Sequence, residues 1–313
     1  MDNYSLPYQN NKGFCNILIS AVGGDGANMA GKLLFKIGVT YLGLDGAYDA
    51  RYGSEKTGTA TDVCVRFCSL GTPVRDSGPN YEAHILSIFH DGLIKPLGLN
   101  KGLQKNATVI VNTNQSPEEI RKEIQLHSGT IICLDAKQIA AKTNSRLNMP
   151  MMALIAKVMG FPDDAVIKAI SETWPRAQKQ NLDAYKEATQ IFTKEYFADD
   201  NQFELIPHTF ARGEVGYLNM IEGGAVSALT HCTANRDNRI TGYGFVPKFE
   251  PEACTGCAIC MSVCSDPGGI IWKKGKVVGI DTAFCKGCMR CVEVCPASKK
   301  GKALQLPSDM VEV

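Results

Sequence analysis

Residues 254–264 read CTGCAICMSVC, and residues 285–296 read CKGCMRCVEVCP. Each run spaces three cysteines as C-x2-C-x2-C and adds a fourth after three more residues. Three thiolates on so short a loop can take three iron corners of a [4Fe–4S] cube. The fourth cysteine of a run starts a helix that leads away, so it serves the other cube. The spacing therefore predicts two clusters with crossed ligands. One takes Cys254, Cys257, Cys260 and Cys295; the other takes Cys285, Cys288, Cys291 and Cys264. A structural zinc ion needs only two C-x2–4-C pairs, so two complete four-cysteine runs argue against zinc.

Between the runs, Ile270–Val278 (IIWKKGKVV) reads as two short apolar strands around a glycine turn. After the second run, Ala303-Leu304-Gln305-Leu306 can add a strand. The result is a small α+β module over residues 248–313. Across residues 248–308 it resembles bacterial two-cluster ferredoxins, with Ser265 where that family usually places proline after the fourth cysteine. Lys273, Lys274, Lys276, Lys286, Arg290, Lys299, Lys300 and Lys302 make the module basic. Such a face suits either plain solvation or docking of an acidic ferredoxin.

Upstream, apolar runs alternate with helical patterns. CNILISAV (15–22) leads into Gly23-Gly24-Asp25-Gly26. A helix pattern follows, with Met29, Ala30, Leu33, Leu34, Ile37 and Tyr41 on one face. Residues 62–68, 84–90, 107–112 and 129–135 read as further strands. Ser116-Pro117-Glu118-Glu119 is a helix start. Helices are expected at about 150–160, 163–174 and 176–196. The fold class is α/β with a mainly parallel sheet. The expected domains are 1–196, an extended connector over 197–247, and the cluster module.

The 313 residues carry a net charge of +1, which removes a bulk pull toward nucleic acid. The longest apolar stretch, Met149 to Phe161, is broken by Lys157, so no membrane span is expected. The opening residues lack a signal-peptide pattern, so a cytoplasmic location is expected. Of 13 cysteines, Cys15, Cys64, Cys68, Cys133 and Cys232 lie outside the two runs and read as small buried hydrophobes. His84, His90, His127, His208 and His231 are scattered, with no pair at metal-ligand spacing. No catalytic residue is assigned.

The turn Gly23–Gly26 has the strand–turn–helix setting of a phosphate site. The dinucleotide fingerprint fails at Met29, although Asp45 lies near the distance of a ribose-binding acid. A thiamine motif fails as well, because Arg51-Tyr52-Gly53-Ser54-Glu55 stands where its asparagines would. The order of turn, helix and Ala47-Tyr48-Asp49-Ala50-Arg51-Tyr52-Gly53-Ser54-Glu55-Lys56-Thr57-Gly58 instead resembles the gamma subunit of 2-oxoacid:ferredoxin oxidoreductases. Asn148-Met149-Pro150 and the helices after it look like that family's C-terminal half, and the cysteine module looks like its delta subunit. The chain thus resembles a gamma–delta fusion. The resemblance implies alpha- and beta-type catalytic partners bearing thiamine diphosphate and a further cluster. It also implies ferredoxin as acceptor and a dimer of heterotrimers. Ala21, Asp25 and Lys56-Thr57-Gly58 depart from the family's G-x-G-G-Q-G and R-G-G patterns. They favour the oxalate-oxidising, coenzyme A-free member over a pyruvate enzyme. The rival of another class is a ferredoxin-fused flavin or nicotinamide reductase.

The cysteine spacing makes a direct prediction. Anaerobically purified chain should carry about eight iron and eight sulfide. Zinc without sulfide would contradict it.

Overall fold

A computed structural model describes residues 4–52, 58–74, 78–79, 82–208, 245–265, 267–282, 284–298 and 301–307. These residues form two compact units. The first comprises 4–52 and 61–208; the second comprises 58–60 and the residues from 245 onward.

The first unit is built on a seven-stranded sheet. Its strands are β1 (Cys15–Val22), β2 (Leu44–Tyr52), β3 (Ala60–Ser69), β4 (Ala83–Ile88), β5 (Leu103–Asn112), β6 (Gly129–Leu134) and β7 (Thr193–Phe197). Their order is β2-β3-β1-β4-β5-β6-β7. Strands β1, β4, β5 and β6 run parallel, with Ile17 beside Ile85 and Val109 beside Ile131. The two edges turn antiparallel, β2 on β3 and β7 on β6. The central strands are nearly continuous apolar runs because both of their faces are covered.

One face carries α1 (Ala27–Lys36), α4 (Ala136–Thr143), α5 (Asn148–Met159), α6 (Asp163–Thr173) and α7 (Gln178–Ala188), which share one core with β1. Helix α5 buries all but Lys157 and Val158, as an all-round apolar sequence requires. The small helices α2 (Ile94–Leu97) and α3 (Pro117–Ile124) complete the set; α3 is closed by a capping box between Ser116 and Glu119.

Three expectations need correction. The helix expected over 176–196 stops at Ala188, and Thr193–Phe197 is an edge strand. Its charged TKEYF sequence carries no apolar alternation because only Phe197 is buried. Strand β2 went unread for a related reason: most of its residues are half-buried. On α1, Met29 is exposed while Ala27 and Gly31 are buried. The helix also widens into a π-turn over Ile37–Tyr41, which re-aims its last residues.

The chain stays attached beyond β7. Gly102 N–H donates to Ile206 O at 2.8 Å. Arg121 holds Asp200 through two bonds of 2.8 and 2.7 Å, with its guanidinium over Phe197 and Phe203. Most of the connector expected over 197–247, including Cys232 and His231, lies outside the described residues. Among the described residues no helix is long and apolar enough to cross a membrane.

The contact between α1 and the sheet depends on small residues. A Cβ on Gly38 would come within 2.3 Å of Phe67, whose ring stacks on Phe35 and meets Phe161 edge-on. Gly38→Ala should therefore destabilise the chain by about 1–3 kcal/mol through overpacking. The shift in urea midpoint measures it, and an unchanged midpoint would show that Phe67 can yield.

Candidate functional site

The second unit repeats one backbone shape twice. In the first run Gly256 has φ +72° and Ala258 φ +59°; in the second Gly287 has φ +67° and Met289 φ +59°. Each left-handed pair turns the C-x2-C-x2-C loop on itself and starts a short helix, Ile259–Val263 or Arg290–Val294. Left-handed backbone is costly for a residue with a Cβ, so Ala258 and Met289 hold it because the surrounding loop requires it. At Gly287 the room is also missing: a Cβ there would lie 2.1 Å from Phe245 O.

The fourth cysteines, Cys264 and Cys295, do not open helices as the spacing had implied. Each follows the end of its helix in extended backbone, with φ −69° and −65°. The short helix therefore carries the chain from the third cysteine to the fourth.

The cysteines gather in two sets. Cys254, Cys257, Cys260 and Cys295 line one small cavity. Phe249, Val277, Pro296 and Leu304 supply its apolar wall. In the other set, burial first, and then the neighbouring thiolates of Cys285, Cys288, Cys264 and Cys260, push the Cys291 thiol up to about 12. Both arrangements mix cysteines from the two runs.

Sulfur in the first set also receives hydrogen bonds. Leu304 N–H donates to Cys295 Sγ at 3.4 Å. The Cys257 thiol is lowered chiefly by the Ile259 backbone N–H, then by the Thr255 side chain. Donors of this kind favour a thiolate, the form that binds iron, and they tune a cluster's potential. Among the described residues, no three His, Cys, Asp or Glu side chains are close enough to share a single ion. A cube does not need that, since each thiolate meets a different iron. Four thiolates spread round an apolar cavity fit such a group.

Hairpin β9 (Ile270–Lys273) and β10 (Lys276–Ile280) contributes Ile270 and Val277 to the apolar cluster that includes Cys260 and Cys291. Val277 lines the cavity, and a Cβ on Gly269 would lie 3.2 Å from Cys285 Cα. Lys274 and Gly275 form the left-handed turn. Strand β8 (Lys248–Phe249) pairs antiparallel with Leu304–Gln305 and closes the module.

The remaining candidates lie in the first unit. Cys15, Cys64, Cys68 and Cys133 are buried in strands. Burial pushes the Cys15 and Cys133 thiols up to about 12, which keeps them protonated. His84 accepts from Asn16 N–H at 3.0 Å and stacks on Tyr8, and burial lowers its pKa. His90 accepts from Gly92 N–H, and His127 lies 2.9 Å from Phe203 O. Asp45 sits on β2 and accepts from Gly46 N–H.

The glycine turn does join β1 to α1, and Gly24 and Gly26 have φ +113° and +84°. Asp25 folds back into it, its Oδ2 accepting from Val22 N–H at 3.3 Å, and burial raises its pKa. Asn148 packs over Gly26, where a Cβ would meet its Cγ at 3.0 Å. A half-buried carboxyl group, Asp62, accepts from Ser20 Oγ at 3.0 Å and went unread, because β3's alternation marks it only as a strand residue.

The two mixed sets give a test. Cys295→Ala should damage the cluster of Cys254, Cys257 and Cys260 and leave the other largely intact, read by Mössbauer spectroscopy of iron-57-loaded protein. Selective loss of the Cys285 cluster would contradict the crossed arrangement.

Comparison with known proteins finds two matched regions. Residues 16–191 match the family model "Pyruvate ferredoxin/flavodoxin oxidoreductase", and residues 246–296 match "4Fe-4S dicluster domain". The "Pyruvate/ketoisovalerate oxidoreductases common subunit gamma" of Pyrococcus abyssi is 27% identical over 180 residues, covering 54% of this chain and 94% of that protein. Its counterpart from Pyrococcus furiosus is 25% identical over the same shares. Among solved structures, pyruvate oxidoreductase subunit PORC from Thermotoga maritima superimposes with a TM-score of 0.51. At 21% identity over 58% of this chain and 98% of that one, it is a likeness of fold. The family match spans more than half of the sequence, so the chain belongs to the pyruvate ferredoxin/flavodoxin oxidoreductase family, with a 4Fe–4S dicluster domain at its C-terminal end.

Proposed function

We propose that this chain is the gamma-type, electron-carrying subunit of a thiamine-dependent 2-oxoacid:ferredoxin oxidoreductase. The observation that carries the reading is the pair of mixed cysteine sets on the same chain as the family's gamma-type sheet. In this account Cys254, Cys257, Cys260 and Cys295 hold one cluster, and Cys285, Cys288, Cys291 and Cys264 hold the other. The clusters, when bound, supply one-electron carriers. The chain's own part is to bind them, bury Cys260 and Cys291, and place N–H donors on Cys257 and Cys295. Alpha- and beta-type partners supply the thiamine diphosphate, a further cluster and the bond-breaking step. The assembly is a dimer of heterotrimers working anaerobically in the cytoplasm.

The finer reading is that the substrate is oxalate and that coenzyme A is not used. Asp25 supports it. Its carboxyl group accepts from the Val22 N–H and places an acid in the turn before α1. A negative group there suits the helix dipole and repels an incoming phosphate. Lys56, in place of the family's arginine, gives up bidentate phosphate pairing; it lies outside the described residues. A second reading, a pyruvate enzyme with coenzyme A, is favoured by the names of the relatives.

Two assays separate these readings. Alone, the chain should oxidise no 2-oxoacid; turnover by the isolated chain with a bound flavin would favour the reductase rival. The whole complex should oxidise oxalate without coenzyme A. Strict coenzyme A dependence with pyruvate, and silence with oxalate, would restore the second reading.

A further inference from the structure

The two cysteine loops share one backbone shape but not one environment. In the first loop Gly256 and Cys257 are exposed and Ala258 is half-buried. At the matching places of the second loop Gly287 and Met289 are buried and Cys288 is half-buried. Cys257 and Cys288 are the second cysteines of their runs, so equal surroundings would expose them equally. The second loop is therefore covered where the first is open. Phe245 accounts for one side of that cover, since its carbonyl oxygen closes on Gly287.

The other side is closed from a distant part of the sequence. Gly58–Ala60 belongs to the second unit. Gly58 lies against Cys288: a Cβ on it would stand 3.7 Å from Cys288 Cβ and 3.9 Å from its Cα and carbonyl oxygen. Backbone that near leaves no room for a water between the two. Gly58 has φ +78°, a conformation that a residue with a Cβ holds only at a cost. Thr59 beside it is buried. The segment is thus fitted closely onto the second loop, at the cysteine whose counterpart in the first loop is exposed.

We propose that Gly58–Ala60 caps the cluster held by Cys285, Cys288, Cys291 and Cys264, and that this cap gives the two clusters of the chain different reduction potentials. The inference rests on the electron-carrying role proposed above and adds a positioning segment far from the cysteines in sequence. Reduction by one electron adds one negative charge among the four thiolates, with no bond made or broken. Water stabilises that charge, and a covered site withholds the water. Solvent exposure is accordingly one of the levers on such a potential. The capped cluster has the lower potential, and the cluster beside the exposed Cys257 has the higher.

The test is an anaerobic redox titration of the full chain with dithionite, followed by electron paramagnetic resonance. Each chain is titrated as it stands and with Cys295→Ala added, which keeps the second cluster and so identifies its signal. Gly58→Val sets a branched side chain against Cys288 in left-handed backbone and lifts the cap. The control is Gly275→Val: Gly275 has the same φ of +78°, but a Cβ there meets nothing within 4 Å. In the wild-type chain the second cluster should be the harder to reduce. In Gly58→Val its reduced-to-oxidised ratio at a fixed potential should rise by about tenfold, a shift of about 59 mV for one electron. The first cluster should not move, and Gly275→Val should move neither. Loss of the second cluster alone from Gly58→Val would also support the cap. A wild-type second cluster no harder to reduce than the first would overturn the proposal. So would an unmoved second potential in Gly58→Val, an equal shift of both clusters, an equal shift in Gly275→Val, or loss of both clusters. A wild-type chain that binds no second cluster would instead refute the electron-carrying role, which keeps the two failures apart.

Discussion

Cys254, Cys257 and Cys260 of one loop must share one cavity with Cys295 of the other. That constraint organises the C-terminal unit. A C-x2-C-x2-C loop reaches its three positions only by turning through two left-handed residues, Gly256 and Ala258 in one run and Gly287 and Met289 in the other. A short helix then moves the chain on, and the next cysteine emerges extended beside the other run. The rest of the unit serves that convergence. The core around the cysteines is small, with Ile270, Val277, Met289, Val292 and Leu304 as its apolar members. A core of that size rarely holds a fold by itself, and metal binding then becomes part of the folding free energy.

The first unit works under a different economy. Its central strands are buried on both faces, its helix α5 is apolar nearly all round, and several of its interior polar groups are held by hydrogen bonds. Asp62 accepts from Ser20, and His84 accepts from the Asn16 backbone. No nucleophile with a lowered pKa stands out among its described residues: the Cys15, Cys68 and Cys133 thiols are all raised by burial. Such a unit is suited to presenting surfaces and a rigid turn, with the electron chemistry left to the cysteine module.

The strongly periodic parts of the chain were legible in the sequence. The apolar runs of β1, β4, β5 and β6 and the caps of α3 declare themselves because burial on both faces, or a Ser-x-x-Glu box, leaves a local signature. The edges were not legible. Strands β2 and β7 pair on one side only, with most residues half-buried in β2 and exposed in β7, so their side chains follow no burial rhythm. In the cysteine module, spacing showed which residues matter. It could not show that the helix precedes Cys264 and Cys295, because that order depends on the left-handed residues Ala258 and Met289, which no propensity would place there. The folding-back of Asp25 was equally hidden, since it is a side-chain choice within a turn whose glycines alone were visible.

The central claim is that one chain holds two four-iron clusters side by side, with cysteines exchanged between the runs. Cysteines of both runs meet at one cavity, so in this account the two reduced clusters lie close enough to feel each other's spin. Electron paramagnetic resonance of the fully reduced chain tests this directly. The account predicts a broadened, spin-coupled spectrum integrating to about two spins per chain, one from each reduced cluster. A sharp, uncoupled signal of a single cluster, or no signal from protein that contains zinc, would contradict it.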